Sequence, residues 1–195
     1  GSFFFGSGTF APNVARWDGT AWTPLGAGVN GILGNGYAPK VHALASYDDG
    51  SGPALFVGGA FSFADGVRCN RVAKWDGATW RPLAQGVDGG VNTFAVHDDG
   101  SGPALFVAGS FTQAGGVPRN RIAKWNGVSW SSLGTGANAP VFALAEYDSG
   151  SGPDLYAGGA FQGAGGVMVN CIAKWNGATW SALGSGAYVG PGGNR

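Results

Sequence analysis

Charge, sulfur and long apolar runs are scarce in this sequence of 195 residues. Lysine, arginine, aspartate and glutamate together make up 11% of the chain, and the formal net charge is zero. Without an excess of basic residues, the chain offers no electrostatic footprint for nucleic acid or for an anionic membrane surface. No apolar run approaches the roughly 20 residues that a membrane-spanning helix needs. The sequence thus predicts neither a nucleic-acid partner nor a membrane span.

Cysteine and methionine are also rare. The two cysteines, Cys69 and Cys171, stand at different positions of the repeat described below, which argues against a disulfide framework. The sequence shows neither an initiator methionine nor a signal peptide, so we expect a mature form or a fragment. Little lysine and much tryptophan, glycine and serine favour an exported protein, at the cell surface or outside the cell.

The abundant residues are glycine, with 39 copies, and the aromatic residues, at 13% of the chain. With a hydrophobic content of 44% there is enough apolar surface for a packed core, so the glycines indicate turns between short strands. The tryptophans follow one motif, Trp-(Asp/Asn)-Gly-x-x-Trp, which we name the Trp hairpin. Its four copies contain all eight tryptophans: they begin at Trp17, Trp75, Trp125 and Trp175 and end at Trp22, Trp80, Trp130 and Trp180.

The last three Trp hairpins start 50 residues apart, a period typical of propellers and other repeat arrays. Each period predicts four strands, A to D. In the third repeat these are residues 91–97, 104–109, 120–125 and 129–133, with a turn at 98–103 and a loop at 113–118. The chain is predicted to be a single domain, 1–195. We expect repeat 1 at about 3–25, repeat 2 at 41–84, repeat 3 at 91–134, repeat 4 at 141–184 and a glycine-rich tail at 185–195.

The Trp hairpin also predicts a register. An Asp-Gly or Asn-Gly pair is a strong hairpin signal, because both residues accept the positive φ of a type I′ turn. With Asp76 and Gly77 as a two-residue turn, Trp75 faces Ala78 and Ala73 faces Trp80, so each large ring lies opposite a small residue. This register gives a structural role to three sets of residues: the tryptophans Trp17, Trp22, Trp80, Trp130 and Trp180, the alanines Ala73, Ala123 and Ala173, and the glycines Gly77, Gly127 and Gly177.

Three stretches of repeat 2 carry a family resemblance: Leu55-Phe-Val-Gly-Gly59, Asn70-Arg-Val-Ala-Lys-Trp75 and Trp80-Arg-Pro-Leu83. They resemble kelch repeats, in which a hydrophobic strand ending in Gly-Gly precedes an aromatic residue and then a tryptophan. The similarity is closest to the kelch-like repeats of bacterial secreted propellers and of fungal cortical cell-polarity marker proteins. The resemblance covers nearly the whole chain. It implies an all-β propeller of four kelch-like repeats that serves as a binding or scaffold domain.

Repeat 1 departs from the pattern, because the sequence begins at strand B, Phe3-Phe4-Phe5, with no strand A before it. We therefore expect three complete four-stranded blades and a first blade that lacks its inner strand, fifteen strands in all. Native proteins normally cover such an unpaired edge. Three remedies stay open: the tail around Tyr188 and Val189 closes the first blade, it enters a neighbouring chain to form a homo-oligomer, or the chain belongs to a ring of five or more blades.

Residues suited to catalysis or metal binding form no pattern. Seven of the ten aspartates lie in predicted turns and Glu146 is the single glutamate, so no pair of carboxyl groups is set apart for hydrolysis. His42 and His97 fall in different phases of strand A, without a cysteine or acid at ligand spacing. The short Asp-Asp-Gly-Ser-Gly turns offer fewer oxygens than the about six to eight that calcium takes. The sequence predicts no enzyme, no metal and no cofactor.

We expect a non-catalytic binding or scaffold propeller that makes protein–protein contacts at the cell surface or outside the cell. One alternative is a multivalent, lectin-like propeller in which exposed tryptophan rings stack on sugars. Its candidate ligand-binding residues are Trp75, Trp125, Trp175, Lys74, Lys124 and Lys174, with Asn70, Asn120 and Asn170 as further polar partners. Another alternative is a self-assembling subunit with strand donation at the first blade. A binding face is predicted in the loops that differ between repeats, at 30–38, 63–68, 113–119 and 162–169.

Overall fold

The computed structural model describes residues 5–6, 9–31, 38–150 and 152–187, and these residues form strands and turns without a helix. The all-β prediction is therefore confirmed, and in this part of the chain no helix has the length and apolar character needed to cross a membrane. The strands in chain order are β1 (Phe5–Gly6), β2 (Thr9–Phe10), β3 (Ala15–Trp17), β4 (Trp22–Pro24), β5 (Val29–Asn30), β6 (Lys40–Asp48), β7 (Pro53–Ala60), β8 (Phe63–Ala64), β9 (Val67–Arg68), β10 (Val72–Trp75), β11 (Trp80–Pro82), β12 (Val91–Asp98), β13 (Pro103–Gly109), β14 (Gln113–Ala114), β15 (Val117–Pro118), β16 (Ile122–Trp125), β17 (Trp130–Ser132), β18 (Val141–Asp148), β19 (Pro153–Gly159), β20 (Gly163–Ala164), β21 (Val167–Met168), β22 (Ile172–Trp175) and β23 (Trp180–Ala182).

Repeats 2, 3 and 4 each fold into one four-stranded antiparallel sheet in which strands A, B, C and D lie side by side in that order. The three sheets are β6-β7-β10-β11, β12-β13-β16-β17 and β18-β19-β22-β23. Their registers are equivalent, since Phe56, Phe106 and Tyr156 of strand B each pair with the lysine of strand C. The four strands predicted for each of these repeats are therefore confirmed.

The turns between strands A and B are closed by an aspartate side chain. Asp48 Oδ1 accepts hydrogen bonds from the backbone N–H groups of Gly50 and Gly52 at 2.9 and 3.0 Å, and Asp98 and Asp148 close the equivalent turns. Both glycines have positive φ. The recurring Asp-x-Gly-x-Gly pattern thus combines a side-chain acceptor with backbone conformations that glycine adopts at no steric cost.

The register predicted for the Trp hairpin is wrong. Trp75 pairs directly with Trp80, and Ala73 pairs with Pro82, so the turn has four residues instead of two. The other three hairpins pair their two tryptophans in the same way. The ring centroids within each pair are 5.3–5.4 Å apart, so tryptophan packs against tryptophan on one face of the hairpin.

The side chain of Asp76 is the reason for the longer turn. Its Oδ1 accepts hydrogen bonds from the backbone N–H groups of Ala78 and Thr79, at 2.9 and 2.7 Å. A type I′ turn needs positive φ at both central residues, but of Asp76 and Gly77 only the glycine has it. Aspartate therefore acts here as a turn cap, which the Asp-Gly dipeptide alone does not reveal.

The loop predicted between strands B and C contains a small hairpin of its own. In repeat 3, β14 and β15 pair across Gly115 and Gly116, both of which have positive φ. The pairs β8-β9 and β20-β21 are the equivalents in repeats 2 and 4, and β5 adds a third strand beside β8. We name these the B–C hairpins. Their strands have two residues each, too few to produce a periodic hydrophobic pattern.

Repeat 1 differs from the predicted three-stranded blade within the described residues. Strand β1 pairs with β2, where Phe5 lies opposite Phe10, while β3 and β4 form a separate two-stranded sheet. The connection from Phe10 to Trp17 is seven residues shorter than its counterparts, so this repeat has no room for a B–C hairpin. Phe3, Phe4 and the tail residues Tyr188 and Val189 lie outside the described residues, and so does the predicted contact between them.

The described residues form three hydrophobic core clusters, each shared by two successive repeats. The first contains Leu25 and Trp80, the second Phe56 and Trp130, and the third Phe106 and Trp180. Strand β12 lies between β6 and β18, so the strand A of repeat 3 contacts the strands A on both sides. Each of these sheets therefore packs face to face with the next one along the chain, which is the arrangement of a repeat array.

Candidate binding site

The interface between successive repeats is built around the second tryptophan of each Trp hairpin. Its indole Nε1 donates a hydrogen bond to the leucine carbonyl just after strand D of the preceding repeat: Trp80 to Leu25 at 2.8 Å, Trp130 to Leu83 at 3.0 Å and Trp180 to Leu133 at 3.0 Å. These rings are 4–6% exposed. Each bond satisfies a buried donor and is worth about 1 kcal/mol net, to which the buried ring adds its apolar area. We name this series the Trp–Leu ladder.

The first tryptophans of the hairpins are the residues predicted to stack on sugars. Trp125 and Trp175 are 6% and 5% exposed, and Trp75 is half-buried. Trp125 and Trp175 therefore present no open ring face to a pyranose, whereas part of Trp75 is accessible. The exposed tryptophans are instead Trp17, at 49%, and Trp22, at 38%.

The predicted lysines are held by carboxylates within their own repeats. Lys74 forms an ion pair with Asp49, and Lys124 pairs with Asp99 at 2.8 Å. Burial by itself raises the pKa of both aspartates, but the hydrogen bonds and charge of the lysines outweigh it, and the net pKa of each carboxyl is lowered. These lysines therefore neutralise carboxylates at the ends of the A–B turns.

Lys174 has a different partner, because Ser149 stands where repeats 2 and 3 have aspartate. Its Nζ lies 2.8 Å from Asp154 Oδ2 on strand β19, and this hydrogen bond raises the pKa of the lysine. The lysine is less enclosed here than in the two preceding repeats. All three candidate lysines thus have a carboxylate partner, and the structure does not bring them together at a common surface site.

Apart from the exposed Trp17 and Trp22, the residues predicted to be structural lie in the packed sheets and their turns. Ala73, Ala123 and Ala173 are fully buried. The glycines of the hairpin turns have positive φ, and a Cβ on Gly127 would lie 2.0 Å from the backbone oxygen of Asp49 in the preceding repeat. Glycine is required at this position because the turn touches the backbone of its neighbour.

Among the described residues, two equivalent cavities open beside the B–C hairpins, one at each junction of the complete repeats. Groove 1, between repeats 2 and 3, has a volume of about 470 Å³, and groove 2, between repeats 3 and 4, a volume of about 350 Å³. Positions 50 residues apart line both, among them Asn70 and Asn120, Gln85 and Thr135, Asp88 and Asn138, and Gln113 and Gly163. The array therefore repeats a groove as well as a sheet.

Side-chain amides form the frame of each groove. Asn70 Nδ2 donates to the carbonyl of Gln85 at 2.9 Å, and Asn120 Nδ2 donates to the carbonyl of Thr135 at 3.0 Å. These bonds tie the end of each B–C hairpin to the segment that follows strand D. The asparagines predicted as polar partners of a ligand thus take part in the groove wall, with a structural hydrogen bond to the backbone.

The next repeat is attached to this frame through position 88 or its equivalent. Asp88 Oδ1 accepts hydrogen bonds from the backbone N–H groups of Thr112 and Gln113, both at 2.7 Å. In groove 2, Asn138 Oδ1 accepts the equivalent bonds from Gln162 and Gly163, at 3.0 and 3.1 Å. Because either side chain offers an oxygen acceptor, the frame is kept while its charge changes.

Groove 1 is lined by charged and amide side chains. Arg68 Nε donates to Asn70 Oδ1 at 3.1 Å, and Arg71 Nη1 donates to the carbonyl of Val87 at 3.0 Å. Burial lowers the pKa of Arg71 while the Asp88 charge opposes that change; arginine remains protonated. Burial raises the pKa of Asp88, but its hydrogen bonds outweigh the effect and lower it overall. Two guanidinium groups and one carboxylate thus line this groove.

Groove 2 has no charged side chain in its lining. Met168 and Val167 stand at its mouth and are exposed, and Thr135 and Asn138 supply its polar groups. Thr135 occupies the position of Gln85, whereas the groove-2 equivalent of Arg68 is Pro118, which is not among the lining residues, and Met168 comes from repeat 4 on the other side of the groove. The two grooves consequently share a backbone frame but present different chemistry to solvent.

The sequence prediction located one half of these grooves. The loops at 63–68, 113–119 and 162–169 do supply lining residues, including Arg68, Gln113 and Met168, whereas 30–38 lies largely outside the described residues. The prediction missed the other wall, at 85–88 and 135–138. Its signal was present: after the leucine of each strand D, polar residues of changing identity follow at fixed spacing.

The side chains of both histidines contact the following repeat. His42 Nδ1 lies 3.2 Å from the carbonyl of Val91, and His97 Nδ1 lies 2.7 Å from Glu146 Oε2. Among residues 5–6, 9–31, 38–150 and 152–187, no three histidine, cysteine, aspartate or glutamate side chains cluster as metal ligands would. Cys69 and Cys171 are free thiols, and burial raises the pKa of Cys69 to about 11.

No protein-family model, no curated protein and no solved structure matches this chain.

Proposed function

We propose that this chain is a non-catalytic binding or scaffold module: a kelch-like propeller whose ligands, other proteins at the cell surface or outside the cell, bind across the grooves between successive repeats. The observation that carries the proposal is the contrast between the two grooves. Their frames are equivalent, yet Arg68, Arg71 and Asp88 line groove 1, whereas only neutral side chains line groove 2, where Arg121, the equivalent of Arg71, donates to the Ala137 carbonyl and is not part of the lining. Conserved frames with changing linings are what a repeat array needs to recognise an extended partner.

The charges of groove 1 favour a protein partner with an acidic side chain. Arginine guanidinium groups bind carboxylates through paired hydrogen bonds, and the free amides of Gln85 and Gln113 add neutral donors and acceptors beside them. The exposed Met168 and Val167 of groove 2 suit an apolar side chain. A peptide segment with an acidic and an apolar residue has side chains that suit both linings.

A peptide-array experiment tests this function. The chain is probed against acidic, neutral and basic peptides and, in parallel, against glycans. We expect binding to acidic peptides that falls at least tenfold in the variant Arg68→Ala with Gln85→Ala, because the replaced side chains are exposed and face groove 1.

The matched control is Arg81→Ala, which removes an exposed arginine that pairs with Asp76 at 3.0 Å outside groove 1. It should leave peptide binding unchanged. Equal loss in both arginine variants would show non-specific charge attraction and contradict the proposed site. Binding to glycans alone would favour the lectin alternative instead.

A further inference from the structure

Two different surfaces form each junction between successive repeats: the forward face of one repeat and the backward side of the next. The forward face of a repeat consists of the strand-A residues at 43, 45 and 47 or their equivalents, together with the facing residues of strands B and C. In repeat 2, Ala43, Ala45 and Tyr47 pack into the cluster shared with repeat 3. The backward side of the following repeat supplies its second tryptophan. Successive repeats therefore join head to tail.

In the part of the chain that the structure describes, no repeat packs against the forward face of repeat 4. Ala143 and Ala145 are exposed, and Tyr147 is 62% exposed, although their equivalents Ala43 and His97 are buried. Two equivalent strand-B glycines show the same difference in packing. A Cβ on Gly58 of repeat 2 would meet the side chains of repeat 3 at 2.5 Å, whereas a Cβ on Gly158 of repeat 4 would meet nothing within 4 Å.

None of the described repeats covers the backward side of repeat 1 either. Trp17 and Trp22 form the one Trp hairpin whose two rings are both exposed in the part of the chain that the structure describes. Trp22 is the equivalent of Trp80, Trp130 and Trp180, each of which donates to a leucine of a preceding repeat. Among the described residues, Trp22 has no such acceptor.

The matching acceptor stands at the other side of the array. The carbonyls of Leu25, Leu83 and Leu133 each accept two hydrogen bonds, one from a glycine N–H three residues later and one from the tryptophan of the next repeat. The carbonyl of Leu183 accepts the glycine bond, from Gly186 at 2.9 Å, and in the described residues no tryptophan bond. Its side chain is half-buried instead of buried.

We propose that the forward face of repeat 4 binds the first Trp hairpin of a second copy of this chain, with Trp22 Nε1 donating to the Leu183 carbonyl. The contact continues the Trp–Leu ladder from one molecule into the next. Both surfaces are exposed in the same structure, so they are not occupied by each other within one chain. A heterologous contact of this kind is open-ended, and assembly proceeds by addition of copies.

One element of the internal interface is absent from this contact. Asp49 and Asp99 lie at the forward end of their A–B turns, where the next Trp hairpin packs, but repeat 4 has Ser149 there. The intermolecular contact therefore lacks a carboxylate, and it is expected to be weaker than the junctions within the chain.

Sedimentation velocity over about 1 to about 100 µM protein tests the proposal. We expect the mean mass of the unaltered chain to rise with concentration. Trp22→Phe keeps an aromatic ring but removes the donor, and should weaken association about fivefold, as the loss of a hydrogen bond of about 1 kcal/mol implies. The exposed Val128 lies on the turn of an internal hairpin, so Val128→Glu should associate like the unaltered chain.

A mixing experiment distinguishes head-to-tail contact from other modes. One variant, Trp17→Ala with Trp22→Ala, disrupts the first Trp hairpin, and another, Ala145→Glu, disrupts the forward face of repeat 4; each variant alone should be monomeric. Their mixture contains one intact first Trp hairpin and one intact forward face, so it should form a one-to-one dimer and nothing larger. A monomeric unaltered chain at every concentration overturns the proposal, and so does a mixture that fails to dimerise.

Discussion

One residue in each A–B turn decides where the lysine of strand C is held. Asp49 and Asp99 receive the lysines of repeats 2 and 3 in enclosed ion pairs, but Ser149 cannot, and Lys174 binds Asp154 on the adjacent strand. The lysine is retained in all three repeats while its partner changes. Which carboxylate pairs with the strand-C lysine therefore depends on a turn residue, and the alternation pattern of the strands does not predict the identity of that residue.

At the residue scale, the ladder tryptophans should contribute unequally to stability. Trp130→Ala removes a buried ring and a satisfied donor, and we expect a loss of about 3–5 kcal/mol in the free energy of unfolding. Trp22→Ala is the matched control, because it removes the equivalent but exposed ring; its cost should stay below about 1 kcal/mol. Urea unfolding at low micromolar concentration measures both. Equal losses would contradict the difference in burial.

At the element scale, neighbouring sheets fit one another by matched side-chain sizes. Gly58 of β7 lies against Phe94 of β12, and a Cβ there would come within 2.5 Å of the phenylalanine ring. At the next junction the equivalent residues are Ala108 and Leu144, which share one hydrophobic cluster. A larger residue on one sheet thus stands with a smaller one on the next, so that both junctions are filled.

This size matching predicts a rescue. Gly58→Ala should destabilise the protein by about 1–3 kcal/mol through overpacking. Adding Phe94→Leu recreates the pair found at the next junction, and the double variant should recover part of that loss, with a coupling of about 0.5–3 kcal/mol. Gly158→Ala, which adds a methyl group in open space, is the control. Strictly additive losses in thermal or urea unfolding would show that the two side chains do not compete for room.

The sequence predicted the elements better than their junctions. The 50-residue period, the four strands of repeats 2 to 4 and the A–B turns follow from alternation and from turn residues, and the structure has them. The Trp hairpin register depends on Asp76 accepting bonds from Ala78 and Thr79, a side-chain effect that competes with the turn predicted for Asp-Gly. The groove walls depend on Asp88 and Asn138 accepting hydrogen bonds from residues 24 and 25 positions later, in the next repeat, and strand alternation does not encode such contacts.

At the scale of the whole molecule, stability comes from junctions between neighbouring repeats, and several of them include carboxylates. The pKa values of Asp49, Asp88 and Asp99 are lowered in the folded protein. Each therefore contributes stability that is present above its unfolded pKa, near 3.8, and that is lost as the pH falls through its lower folded pKa. Acid should loosen several junctions over the same narrow range.

We accordingly expect the melting temperature to be nearly constant above about pH 5 and to fall steeply below about pH 4. Asp99→Asn should be less stable than the unaltered chain at neutral pH, and the gap should shrink as the pH falls, because protonation removes the same charge. Ser149→Asn, at the equivalent position of repeat 4, controls for the effect of the asparagine side chain itself, because no carboxylate is removed there. Circular dichroism melts follow all three; a gap that stays constant down to pH 3 would rule out a contribution from the ionised carboxylate.

The Trp–Leu ladder has a consequence for how such a gene changes length. Every rung joins the same two atoms, one in each of two adjacent units. Addition or removal of a whole unit would leave each remaining tryptophan with a leucine to bind. A change in the length of one connection is tolerated as well, because the Leu25–Trp80 rung spans 55 residues and the other two rungs span 47. The rung therefore fixes the contact between units and leaves the length of the connecting loop free to vary.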